Sequence, residues 1–367
     1  MKYIKQLDSL RTLAILTVII VHWFPKDNSA YLVSAYINAP KIFFTISGFL
    51  ITAILLKAKV KTETTSDKYR TIKNFFFKRA LRIFPAYFLV LAIWFFTGPA
   101  TEKISYKYFL TFTANIYIYK VQIWPALAHL WSISVEEQFY LIWPWLIIFS
   151  NRITTLMIII ISILTGIGAQ FLNHNQFANI LTINNLDGIG IGALLSFLLI
   201  KEPDYLLKKR KIIYWIAIIC FFLSLIQLWF LPQTHHFGSG TFISIMTAGL
   251  LMYFISNGKN ENYTFSSLFD NKLLMSMGKI SYGLFLYHFL IPYYTYNAFT
   301  RIADFLHIPF SPTIRNYLWM LGNFIILLLL AKLSYHYFEM PFLKLKKYFK
   351  DGIQENQKIL EPVPKNN

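Results

Sequence analysis

The sequence predicts an all-α polytopic membrane protein of about ten transmembrane helices, with both termini cytoplasmic. Three observations predict it. The 367 residues are 56% hydrophobic and only 14% charged, where a soluble domain carries about 25% charged residues, and the mean hydropathy is +0.48. Apolar stretches recur at 8–24, 40–57, 83–98, 127–149, 153–172, 186–200, 212–230, 241–256, 280–299 and 316–337. Ten crossings put both termini on one side, and 26 of the 35 Lys and Arg fall in the segments of that side, as the positive-inside rule requires of the cytoplasmic face.

The formal net charge of +18 carries no basic domain with interleaved reading motifs, so it argues for membrane topology and not for nucleic acid. Cys220 is the single cysteine, which excludes an internal disulfide and a cysteine-based metal site. No repeat and no matched pair of interrupted helices of the transporter kind stands out. Residues 1–345 are expected to form one membrane-embedded domain. Residues 346–367 read as a polar cytoplasmic tail that leaves no room for a second soluble domain. An isoleucine-, lysine- and asparagine-rich chain of this kind predicts a bacterial inner membrane.

The stretch Leu7 to Phe24 (LDSLRTLAILTVIIVHWF) is apolar enough to enter a bilayer, yet it carries Asp8, Arg11 and His22. Ionisable groups at membrane depth cost several kcal/mol unless paired or facing water, and so mark functional positions. Arg11 and His22 are eleven residues apart, which at about 100° per residue returns to one helix face, with Asp8 one turn before Arg11. The rise between them is roughly 16 Å. A signal anchor with a snorkelling arginine is the structural alternative.

The loop 57–82 holds nine Lys and Arg. Part of this is topology signal. Its end, Phe77-Lys78-Arg79-Ala80-Leu81-Arg82, sets Arg79 and Arg82 at i, i+3 on one face, a guanidinium fork suited to phosphates. Next, His129-Leu130-Trp131-Ser132-Ile133-Ser134-Val135-Glu136-Glu137 opens the fourth span. Glu136 and Glu137 point about 100° apart, so one of them can readily face a given partner. Carboxylates there serve as acid or base, or orient a histidine. Acidic residues also simply favour a helix N-terminus. Further candidates are Ser47 beside Gly48, Asp187 among three glycines, Tyr282, His288 inside the ninth span, and Glu339 at the end of the tenth.

Taken together, Leu7-Asp8-Ser9-Leu10-Arg11 through His22, Ile46-Ser47-Gly48-Phe49-Leu50, Arg79 to Tyr87 and Leu130 to Tyr140 resemble the acyltransferase 3 family of integral-membrane O-acyltransferases. Ser281-Tyr282-Gly283 through His288 and Phe338-Glu339-Met340-Pro341-Phe342 resemble its closing motifs. The resemblance runs from about residue 3 to 345, in order. It implies transfer of an acetyl or other small acyl group from cytoplasmic acyl-CoA (acetyl-CoA) to a hydroxyl of a glycan or lipid-linked saccharide, with no metal. It pairs Arg11 with His22, assigns Arg79 and Arg82 to CoA, and makes Glu136 and Glu137 the acidic pair. One departure is that Asn184 and Asn185 stand where an arginine is expected shortly before Asp187. The family often carries a fused extracytoplasmic esterase-like domain. This chain is expected to be the stand-alone form, transferring the group itself or through a separate extracytoplasmic acceptor protein.

The joined expectation puts the CoA phosphates at Arg79 and Arg82, with Arg11 assisting. His22 is the general base, since imidazole is poised near neutral pH. Glu136 or Glu137 orients His22 as a triad carboxylate does. Asp8, Ser47, Trp131, Ser134, Asp187, Tyr282, His288 and Glu339 support substrate or site. The alternative of another class is a proton-coupled transporter or lipid-linked glycan flippase using the same groups as a relay. A purely structural assembly subunit explains the internal charges poorly.

Overall fold

The structure, a computed structural model, describes residues 4–99, 104–230, 238–257, 268–305 and 311–349. Among these every regular element is helical and no strand occurs, the form in which an apolar chain satisfies its own backbone within each segment. Residues 350–367, most of the expected tail, lie outside the described residues.

The chain opens with α1 (Gln6–Trp23), α2 (Ser29–Ile37) and α3 (Ala39–Lys59). Asn28 caps α2 by accepting from Ala30 N at 2.8 Å. Asn38, at φ 49°, makes the bend into α3, a left-handed conformation that asparagine tolerates. A capping box between Thr64 and Asp67 starts α4 (Thr65–Thr97), which continues through Pro85. Its 33 residues extend about 50 Å, more than the ~30 Å hydrocarbon core, so the helix carries its basic first turns beyond the bilayer. Then come the short α5 (Tyr106–Leu110) and α6 (Ala114–Val121), followed by α7 (Trp131–Phe149), α8 (Arg152–Leu172), α9 (Leu186–Lys201), α10 (Pro203–Phe230) and α11 (Ser239–Asn257). The last third holds α12 (Lys272–Lys279), α13 (Ser281–Tyr287), α14 (Leu290–Phe305), α15 (Pro312–Leu333), a π-helical turn at Ser334–Glu339 and α16 (Met340–Lys344).

Seven helical stretches are long and apolar enough to cross a membrane: Ser29–Lys59, Thr65–Thr97, Arg152–Leu172, Ile183–Lys201, Arg210–Gln227, Ser239–Ser256 and Pro312–Tyr348. The expected spans 8–24, 127–149 and 280–299 are helical but are not among them. Polar residues explain the first two: Gln6, Asp8, Arg11 and His22 in α1, and Glu136, Glu137 and Gln138 in α7. The third is broken at His288–Phe289, between α13 and α14. These three segments are also the ones that carry His22, the glutamates and His288.

The tightest packing joins α3 to α9, where a Cβ on Gly48 would stand 2.0 Å from Ile189 O, so no larger residue fits. A second close approach seats α12 on α1, with Gly278 against the Asp8 carbonyl. Around it Ser9 Oγ donates to Phe269 O and Thr12 Oγ1 to Leu274 O, each at 2.6 Å. By contrast, the membrane-length windows of α8 and α10 are only 17% and 11% buried. Their exposed isoleucine, leucine and phenylalanine side chains suit lipid contact.

Candidate active site

A cavity of about 320 Å³ lies between α1, α3, α4, α7 and α13. Along α1 it is lined from Leu7 through Arg11 to Val18. Arg11, Lys57, Arg79 and Arg82 line it as cations, and Glu136 is its carboxylate among the described residues. Apolar walls come from Phe44, Ile46, Leu50, Ile133 and Phe285. Arg11 Nη1 lies 3.1 Å from Asp8 Oδ1, an i, i+3 pair within α1. Neither Arg79 nor Arg82 makes an ion pair among the described residues. The Arg79 guanidinium instead sits 5.3 Å over the Tyr140 ring and 5.6 Å from the Phe75 ring centroid, a cation–π arrangement that leaves its N–H fork available.

Glu136 turns toward these arginines. Ser47 Oγ donates to its Oε1 at 2.6 Å and the Tyr140 hydroxyl to its Oε2 at 3.2 Å. Both oxygens are thereby held by α3 and by the next turn of α7. No hydrogen bond joins Glu136 to His22. The expected orienting carboxylate is engaged elsewhere, because two hydroxyls draw it to the arginine side. Glu137 does not line the cavity, and its Oε1 is buried without a hydrogen-bond partner among the described residues.

His22 stands one turn beyond Val18, at the other end of α1, and is exposed. Its ring stacks on His288, with centroids 4.9 Å apart and planes 6° apart. His129, from the turn that precedes α7, sets its ring 4.8 Å from His288 at 71°. His288 Nδ1 lies 2.6 Å from Phe285 O. A carbonyl only accepts, so Nδ1 carries the proton and Nε2 is the acceptor. That Nε2 and both nitrogens of His129 are buried without hydrogen-bond partners among the described residues, each an unmet group of a kind that costs about 1–3 kcal/mol. His22 thus stacks on His288, and His129 meets the same ring edge-on. Among the described residues no group of three His, Cys, Asp or Glu is placed to hold a metal ion. Phe285 stands between the two halves of the site, lining the cavity and touching His129 at 5.3 Å.

Asp187 belongs to a separate cluster. Lys41 Nζ meets its Oδ1 at 2.7 Å and Thr241 Oγ1 donates to its Oδ2 at 2.7 Å. Lys41 also donates to Asn184 O at 2.9 Å. Asp187 is fully buried and Lys41 is 4% exposed. The cation expected from an arginine just before Asp187 is thus supplied by α3.

Of the remaining candidates Tyr282 lines the cavity, and Glu339, Trp131 and Ser134 do not. The Tyr282 hydroxyl donates to Ile83 O at 2.8 Å, tying α13 to α4 beside Arg82. Glu339 accepts from Ser334 Oγ at 3.2 Å. Trp131 packs edge-on against Phe44, and Ser134 Oγ bonds back to Leu130 O at 3.3 Å within α7.

The family described as an acyltransferase domain, acyltransferase 3, matches residues 4–336. The chain belongs to the acyltransferase 3 family. Two curated relatives from Staphylococcus aureus, the O-acetyltransferases OatA of strains NCTC 8325 / PS 47 and COL, are each 28% identical to it over 94% of this chain. The chain spans 58% of the length of each of them. No solved structure matches it. Of the site residues named above, only Glu339 lies past the part matched to acyltransferase 3. Sequence reasoning gave no role to three residues: Lys57 of the cavity, Lys41 of the Asp187 cluster and His129 beside His288. Lys57 looked like one more cation of the basic loop, and Lys41 and His129 carried no local signal of what they would meet.

Proposed function

We propose that this acyltransferase moves an acetyl or other small acyl group from cytoplasmic acyl-CoA to a hydroxyl of a cell-envelope glycan or lipid-linked saccharide. In this reading the chain crosses the bacterial inner membrane ten times with both termini in the cytoplasm. The supporting observation is the cavity itself. Among the described residues four cations and one carboxylate line it, it follows α1 as far as Val18, and His22 stands one turn further on.

Arg79, Arg82, Lys57 and Arg11 face the phosphates of the donor, since guanidinium forks pair with phosphate oxygens. The apolar wall of Leu50, Ile46 and Val18 takes the pantetheine arm, which covers the roughly 16 Å between Arg11 and His22. Glu136 fixes Tyr140, and Tyr140 seats Arg79. At the far end His22 removes the hydroxyl proton of the acceptor as its oxygen bonds to the thioester carbonyl carbon. The C–S bond then breaks, and the leaving thiolate takes that proton from the imidazolium. A relay for proton-coupled transport gives no comparable use for a cavity that gathers Arg79, Arg82, Lys57 and Arg11.

The test is acetyl-CoA turnover by detergent-purified protein, followed as free thiol with a crude cell-envelope glycan extract. The expected result is turnover by the wild type, CoA binding without turnover in His22→Ala, and weakened CoA binding in Arg79→Ala. A wild type that neither binds nor consumes acetyl-CoA with any acceptor overturns the reading, and proton-coupled uptake into vesicles then becomes the activity to measure.

A further inference from the structure

The end of α1 and the break between α13 and α14 meet at one residue. Pro292 has no N–H to offer the carbonyl four residues before it, so His288 O is left open where the helix breaks. The Trp23 indole N–H takes that carbonyl at 2.9 Å. The residue beside Trp23 is His22, and its ring lies parallel to the His288 ring at 4.9 Å. His288 is itself fixed from two other sides, by its Nδ1–H to Phe285 O at 2.6 Å and by the His129 ring at 4.8 Å. It is fully buried, whereas His22 is exposed.

An exposed histidine at a helix end has a broad χ2 preference and therefore no fixed plane of its own. A base must hold its nitrogen within hydrogen-bond reach of the proton it removes. We infer that His288 is the positioning residue of His22, a buried plate that sets the plane of the outer imidazole and leaves its nitrogens in the open half of the site. The inference rests on the reading of His22 as general base. One face of His22 is covered by His288, so the acceptor hydroxyl approaches along the ring edge. His129 packs edge-on against His288 at 4.8 Å and helps keep the plate from turning.

The experiment compares His288→Ala, His288→Phe and Trp23→Phe with the wild type in two readouts. One is the split of kcat from the KM for acetyl-CoA. The other is the rate at which diethylpyrocarbonate modifies His22, followed by peptide mass spectrometry, which needs no turnover. His288→Ala is expected to lower kcat tenfold or more with KM unchanged, and to speed His22 modification several-fold. His288→Phe keeps a flat ring and restores both. Trp23→Phe, which removes only the indole bond, shifts both in the direction of His288→Ala by a smaller factor and serves if a His288 variant does not fold. Unchanged His22 modification in both His288→Ala and Trp23→Phe overturns the inference. Failure of the phenylalanine to restore kcat in a folded protein does so too, since the ring nitrogens and not the ring would then matter. Full turnover by His22→Ala overturns the general-base reading alone, because the modification rates are read without it.

Discussion

Lys41 and Arg79 are both cations set among packed helices, and their surroundings are opposite. Lys41 meets a carboxylate and a backbone carbonyl, and the second carboxylate oxygen of its partner is taken by Thr241. Every charge in that cluster is answered within the protein. Arg79 lies over two aromatic rings and faces a cavity that it shares with three more cations. Burying charge is tolerated when it is paired and hydrogen-bonded. A closed set of partners therefore reads as architecture, holding α3, α9 and α11 together. An incomplete set around a cavity reads as a place for an anion from outside.

The comparison can be broken most sharply at Asp187. Asp187→Ala leaves the Lys41 charge buried alone and is expected to cost about 3–5 kcal/mol, whereas Lys41→Met combined with Asp187→Leu recovers most of it. Unfolding in detergent measures both. An Asp187→Ala protein of full stability that no longer binds CoA would move this cluster into the active site. Arg79→Ala comes next: CoA binding by calorimetry is expected to weaken ten- to a hundredfold, about 1.5–3 kcal/mol for hydrogen bonds to a charged group, with stability unchanged. Ser47→Ala removes the shorter of the two hydroxyl bonds to Glu136 and is expected to lower kcat/KM for acetyl-CoA about tenfold, or ~1.4 kcal/mol. The smallest effect belongs to Thr241→Val, about 1 kcal/mol of stability with kinetics unaltered. A kinetic defect there, without a stability loss, would erase the distinction between the two regions.

Much of this was open to sequence reasoning because it is local. The helical class follows from composition and hydropathy, and the Asp8–Arg11 pair from spacing within one helix. The Arg79–Arg82 face follows from i, i+3 spacing in the same way. What was hidden depends on contacts between distant segments. The partner of Asp187 lies 146 residues away, beyond any pattern in the Asn184–Asn185 turn. Adjacent glutamates left open which of them faces inward, and Ser47 on another helix decides it. His288 looked like a lone intramembrane histidine. Residues 280–299 read as one span, and nothing local showed that Trp23 would take the carbonyl freed at Pro292 and bring His22 with it.

The seat of α1 on α12 has a consequence for the order in which the molecule is made. Ser9 and Thr12 donate to Phe269 O and Leu274 O, and Trp23 donates to His288 O. Helix α1 is thus closed by residues that emerge some 260 positions later. Its arginine travels with a local counter-ion in Asp8, so its charge is matched from the start. Its hydroxyls and its indole wait. A nascent chain halted before residue 269 holds both Arg11 and His22 and still lacks the three carbonyls that seat α1, so the surroundings of His22 are assembled only after α12 and α13 have been made.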